Sequence, residues 1–158
     1  MMQLVPYTAD WHDQVSRLTI LPHQQPFIGD LPALLQTLGS QGLSGHVMAQ
    51  NGTAVGFFRL DECFASSHPF APANAIGLRS FLVGQDFQGR GYAKQALLAL
   101  PAYLQAQALT GGDLYLTVNC KNTSAYQLYL HCGFLDTGEL YLGGSYGPQH
   151  AMVLARNP

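Results

Sequence analysis

The chain has 158 residues, 47% of them hydrophobic and only 10% charged, with a formal net charge of -2. That is one ordinary domain with enough apolar content for a real core. Without a basic run, nucleic acid is excluded as the main partner, and without about 18 uninterrupted apolar residues no membrane span is expected.

The first residues, Met1 to Pro6, lack a basic segment followed by an apolar core, so no secretory signal is expected. The cysteines, Cys63, Cys120 and Cys132, are odd in number and contain no C-x-x-C pair. They predict free, mostly buried thiols in a reduced, cytoplasmic protein. A surface this poor in charge leaves room for a partner, and a homodimer stays open.

In chain order, Met2–Tyr7 predicts a first strand. Thr8 can cap a helix to about Ile20, with Trp11, Val15 and Leu18 facing inward. Leu21–Gly29 predicts a loop, after which Asp30 caps a short helix through Leu34, Leu35 and Leu38, with Pro32 in its first turn. His46–Gln50 and Thr53–Asp61 predict strands joined by Asn51-Gly52, a dipeptide suited to the positive φ angles of a type I′ turn. A loop from Cys63 to Ala75 leads to the strand run Leu78-Arg79-Ser80-Phe81-Leu82-Val83. A long helix follows, with Ala96, Leu97, Leu100 and Leu104 on one face and a kink expected at Pro101. Leu114–Val118, a helix over Asn122–His131, and strands at Phe134–Leu142 and His150–Ala155 complete the chain. Central strand–helix alternation with hairpins at either end predicts an α/β domain, one mixed sheet with helices on both faces. No linker divides residues 1–158.

The turn Gln88-Gly89-Arg90-Gly91-Tyr92-Ala93 joins that strand to that helix. A helix start has amides without intrahelical partners and positive potential from the dipole, so it suits a phosphate group. Gly89 and Gly91 put no side chain in the way. A Rossmann reading fails, because the third glycine spacing and the acidic residue after the next strand are missing. The histidines show no metal-ligand spacing, so no metal is expected.

The turn matches the Q/R-x-x-G-x-G/A signature of the GCN5-related N-acetyltransferase (GNAT) family, with Ala93 at the last position. Downstream, Asn122-Thr123-Ser124-Ala125-Tyr126-Gln127-Leu128-Tyr129, followed by Gly133-Phe134, resembles that family's N-x-x-A-x-x-L-Y-x-x-x-G-F segment. The resemblance spans roughly Ile76 to Phe134 and implies a mixed sheet of about six to seven strands with about four flanking helices. It implies acetyl-CoA as donor, with amides from Gly89 to Ala93 on the pyrophosphate and Arg90 adding charge to a phosphate oxygen. Backbone groups of Phe81, Leu82 and Val83 would pair with the pantetheine arm where the central strands splay. Gln88, Tyr92 and Asn122 complete the implied donor site. Asn122 also suits a helix cap.

The resemblance assigns Tyr129 the role of general acid for the departing thiolate, with Tyr126 its nearest rival. Asn122 and Tyr129 lie within about 20° of one helical stripe and about 10 Å apart along the axis, a span a pantetheine arm can follow. The acceptor amine must lose a proton before it attacks. Glu62, Asp61, His68 and a water relay all remain open as the base. The resemblance makes Pro22–Ile28 and Tyr141–Gln149 the expected acceptor loops, and they are poor in acid. This favours a small neutral or zwitterionic amine over a polyamine. Modification of protein N-termini or lysines, and acyl-CoA sensing without catalysis, are the alternatives.

Overall fold

A computed structural model describes residues 1–109 and 111–156. The strands are β1 (Met2–Pro6), β2 (Leu43–Gln50), β3 (Thr53–Asp61), β4 (Ile76–Val83), β5 (Leu114–Asn119), β6 (Leu135–Tyr141) and β7 (Gln149–Leu154). They form one seven-stranded sheet in the order β1-β2-β3-β4-β5-β7-β6. All neighbours pair antiparallel except β4 and β5, which are parallel because the long helix crosses between them. The helices are α1 (His12–Ser16), α2 (Gln25–Ile28), α3 (Leu31–Gln36), α4 (Tyr92–Ala106) and α5 (Thr123–His131). The mixed sheet with flanking helices agrees with the expectation from sequence, and no helix among the described residues is long and apolar enough to cross a membrane.

Alternation along the strands divides the core in two. Met48, Phe58, Leu60, Leu78 and Leu116 face Ala96, Leu97, Leu100 and Leu104 of α4, joined by Tyr129 and Phe134. Val47, Phe57 and Leu82 face Val15 of α1 and Leu31 and Leu35 of α3 on the other side. The β2–β3 turn is as expected, with φ of 52° at Asn51 and 79° at Gly52. Asp30 caps α3 by accepting from the Ala33 N–H. α4 runs on through Pro101 as one helix.

Three expectations are corrected. α1 stops at Ser16 rather than near Ile20, and the Thr8 side chain makes no cap. The segment after α1 is claimed by a tertiary bond instead, from the Gln85 N–H to the Thr19 carbonyl. The stretch expected as loop between Leu21 and Gly29 contains a 3-10 turn and α2. Of the thiols, only Cys132 is buried, while Cys63 is exposed.

Gly77 lies on the only β4–β5 rungs, and a Cβ there would meet the Phe64 ring at 2.1 Å. Phe64 is fully buried, so a Gly77→Ala change should cost about 1–3 kcal/mol by overpacking, read as a lower urea midpoint.

His46 is buried between Phe58 and Tyr103, and its ring nitrogens meet the Tyr103 and Ser44 hydroxyls. Burial pushes its pKa down to about 4. The unfolded chain, with an ordinary histidine near 6.5, binds the extra proton first as pH falls. The contribution of His46 is therefore fully present above about pH 6.5 and is lost towards pH 4, with a magnitude of about 3 kcal/mol. Denaturation midpoints measured across that window should flatten in His46→Gln.

Candidate active site

β4 and β5 pair only at Ile76↔Leu114 and Gly77↔Tyr115. Beyond those rungs they diverge, and residues of both strands, from Leu78 to Val83 and from Thr117 to Asn119, line a cleft of about 620 Å³. A bulge in β4 shapes its wall. Between the pairs Phe57↔Leu82 and Arg59↔Arg79, β3 has one residue and β4 has two, Ser80 and Phe81. Ser80 takes up the extra length with φ of 55°, a left-handed conformation unusual for serine. The Arg59 guanidinium holds it there, donating from Nε and Nη2 to Ser80 Oγ at 3.0 and 2.8 Å. Phe81 thereby has no partner on β3, and it faces the Tyr129 ring at 6.3 Å.

One end of the cleft is built around the start of α4. Gly89 and Gly91 both have φ of 80°, and Gly91 is the N-cap of α4. The first intrahelical bond runs from the Gln95 N–H to the Gly91 carbonyl, so the amides of Tyr92 to Lys94 have no partner within the helix. Such amides can hold a phosphate. Gln88 is a brace: Nε2 donates to the Val83 carbonyl at 2.9 Å and to Gln24 Oε1 at 3.1 Å. Asn122 lines the cleft and caps α5, accepting from the Ala125 N–H at 3.4 Å. Tyr129, one turn and more along α5, is buried against Phe81 and Phe134. Burial raises its phenol pKa, so the hydroxyl stays protonated. No partner for that hydroxyl is found among the described residues, and the oxygen is not sealed from the cleft.

The two loops named from the sequence also line the cleft. They meet where the Phe27 and Tyr146 rings pack edge to face at 5.7 Å. Asn119, 7% exposed, fixes the second loop by donating from Nδ2 to the Tyr146 carbonyl. His68 forms part of the wall, stacked on Phe64 at 3.9 Å and against Tyr141 at 4.4 Å. Its Nδ1 contacts the Phe64 carbonyl at 3.1 Å. Nδ1 also lies 2.9 Å from Ser67 Oγ, a hydroxyl that can donate or accept; in the tautomer that donates to the carbonyl, Nε2 presents a lone pair. Burial lowers the His68 pKa, which keeps the ring neutral at neutral pH. Among the described residues no group of three or more His, Cys, Asp or Glu side chains could hold a metal.

The model of the acetyltransferase (GNAT) family matches residues 7–134. This chain belongs to the GNAT family. It is 35% identical over 132 residues to the uncharacterized N-acetyltransferase YbbJ of Bacillus subtilis (strain 168), covering 80% of this chain and 75% of that one. Its fold is that of AAC(6')-Ib solved with paromomycin and acetyl-CoA, at TM-score 0.80 and 16% identity, covering 98% of this chain and 93% of the other. It is also that of a Vibrio cholerae spermidine N-acetyltransferase SpeG chimera, at TM-score 0.71 and 18% identity, covering 98% and 95%. The chain is an N-acetyltransferase by family.

Within this GNAT domain the expected site residues fall into three groups. Phe81, Leu82, Val83, Gln88, Ala93, Asn122 and Tyr129 come together along the cleft. Gly89, Arg90, Gly91 and Tyr92 lie just outside the lining, and Arg90 turns back to donate to the Asp86 carbonyl over the Phe87 ring. Glu62 is exposed and does not reach the cleft, and Asp61 is held by Arg79 and the Cys63 N–H. Tyr126, the rival of Tyr129, donates to Asp136 outside the cleft.

Sequence reasoning missed Arg59 and Asn119. The signal for Arg59 was an arginine inside the apolar run Phe57-Phe58-Arg59-Leu60, in a chain with few charges. Asn119 carried no such mark.

Proposed function

We propose that this protein transfers the acetyl group of acetyl-CoA to a primary amine of a small molecule, by direct attack in a ternary complex in the cytoplasm. The observation that carries this reading is the β4–β5 divergence, which brings a phosphate-suited helix start, a protonated Tyr129 and a neutral His68 to one cleft. Acetyl-CoA as the donor is supported by the AAC(6')-Ib structure of the same fold, solved with acetyl-CoA. The diphosphate would take the amides from Gly89 to Ala93. The pantetheine arm would follow the free edge of β4 past Phe81 and Leu82, with Asn122 alongside. The Val83 carbonyl already accepts from Gln88, so Gln88 acts as support for that edge rather than as a ligand.

In this mechanism His68 Nε2 takes a proton from the acceptor ammonium. The neutral amine attacks the thioester carbonyl, the C–S bond of the tetrahedral adduct breaks, and the second nitrogen proton ends on the thiol of CoA. The products are the acetamide and free CoA. Tyr129 holds its proton more tightly than a thiol does, since an ordinary thiol has a pKa of about 8.5. It therefore stabilises the departing thiolate by donating a hydrogen bond, rather than by giving the proton up.

The test is thiol release with acetyl-CoA and a panel of amines, with the acetylated product identified by mass. Turnover of any small amine supports the proposal. Tight acetyl-CoA binding with no turnover across amino acids, polyamines, aminoglycosides and peptides would replace it with a sensor. Turnover of peptides alone would make it a protein-modifying enzyme.

A further inference from the structure

The cleft holds two arginines and no carboxylate: none of the residues lining it is Asp or Glu. Arg79 is satisfied, donating to Asp61 Oδ2 at 3.1 Å. Arg59 is not. It is 6% exposed, and no carboxylate among the described residues lies within ion-pair distance of it. Its Nε, Nη1 and Nη2 each donate to a hydroxyl oxygen, of Ser80 or of Thr37, so three of the guanidinium's five N–H donors are used and two are left. A guanidinium stays charged even when buried, and a buried charge without a counter-ion is costly. The two arginines against Asp61 leave a net charge of +1 here (two minus one).

We propose that the acetyl acceptor is an amine that also carries a carboxylate, an amino acid or close relative, whose carboxylate is received by Arg59. Two remaining N–H donors on one planar group match the two oxygens of a carboxylate. The single uncompensated positive charge matches its single negative charge, where a phosphate dianion would exceed it. A polycation has nothing here to pair with and two guanidinium groups to repel it. His68 stands on the same wall to take the ammonium proton. Arg59 is also what holds the Ser80 bulge, so the carboxylate would be read by the residue that shapes the wall.

This inference rests on the transferase reading above, and the experiment separates the two. Free L-amino acids, the matching amino-acid carboxamides, spermidine and kanamycin are compared as acceptors for the wild type. The expected result is that kcat/KM for an acid exceeds that for its carboxamide by about 10- to 100-fold, the range of a hydrogen-bonded charge. In Arg59→Gln the acid-to-carboxamide ratio should collapse towards one, whatever loss the two substrates share from release of the Ser80 bulge. Equal use of acid and carboxamide by the wild type, or better use of spermidine or kanamycin, overturns the inference and leaves the transferase intact.

A second arm needs no turnover. Calorimetry with the N-acetylamino acid and its carboxamide should show the same preference in binding to the wild type. Equal binding of the two overturns the inference even if no amine is acetylated.

Discussion

Replacing Tyr129 by phenylalanine should lower kcat by about 10²- to 10³-fold, the range seen when one donor aimed at a developing negative charge is removed. The ring itself should stay in place. It packs between Phe81 and Phe134, and its hydroxyl has no partner among the described residues to leave unpaired. Fold stability and the Kd for acetyl-CoA should therefore stay within a few-fold of wild type. The role of the phenol can be read further from the donor. A hydrogen bond to a departing thiolate matters most when the leaving thiol is a poor one. Thioesters of more acidic thiols should narrow the gap between Tyr129→Phe and wild type. If kcat and donor affinity fall together, Tyr129 is a binding residue and its role in the chemistry is refuted.

The second large effect is expected at His68. His68→Gln should cost about 10²- to 10⁴-fold in kcat/KM near neutral pH, the usual contribution of a positioned base. The sign of the pH dependence follows from the direction of the pKa. Burial lowers the His68 pKa below the ordinary 6.5, and the active form is neutral. Activity should therefore rise with pH through a point below 6.5 and then be level in His68. In the glutamine variant that limb should vanish, and the rate should instead climb with pH as more acceptor is deprotonated by solvent. An acceptor whose amine pKa lies below the assay pH needs no base, and with it the variant should approach wild type. The stacking on Phe64 is a possible route to a trivial loss, so the variant's thermal midpoint and acetyl-CoA affinity are measured alongside. An unchanged pH profile would remove His68 as base and leave a water relay.

Much of this was legible in the chain before any coordinates. The alternation of periods gave the element order, and Asn51-Gly52 gave its hairpin, because positive φ at two adjacent positions restricts the residues allowed. The helix that starts at Tyr92 could be read because two glycines and an apolar face are local signals. Tyr129 could be placed near the cleft because a helix fixes the spacing of its own residues. Local signals failed where a distant group intervened. α1 ends early because Thr19 bonds to Gln85, a partner invisible to any window around Thr8. Gln88 bonds Val83 and Gln24, and Arg90 bonds the Asp86 carbonyl, contacts that the turn motif does not display.

The sequence alone therefore determined the family's fold and the glycine turn at the start of α4, since both are written in short-range patterns of turns and helix starts. The acceptor end was decided only by tertiary structure. His68, Arg59 and the Phe27–Tyr146 contact come from segments far apart in the chain, brought together where β4 and β5 part. What each can do there depends on its packing: His68 lies against Phe64 and Tyr141, and Asp61 is already taken by Arg79, which leaves Arg59 without a carboxylate among the described residues.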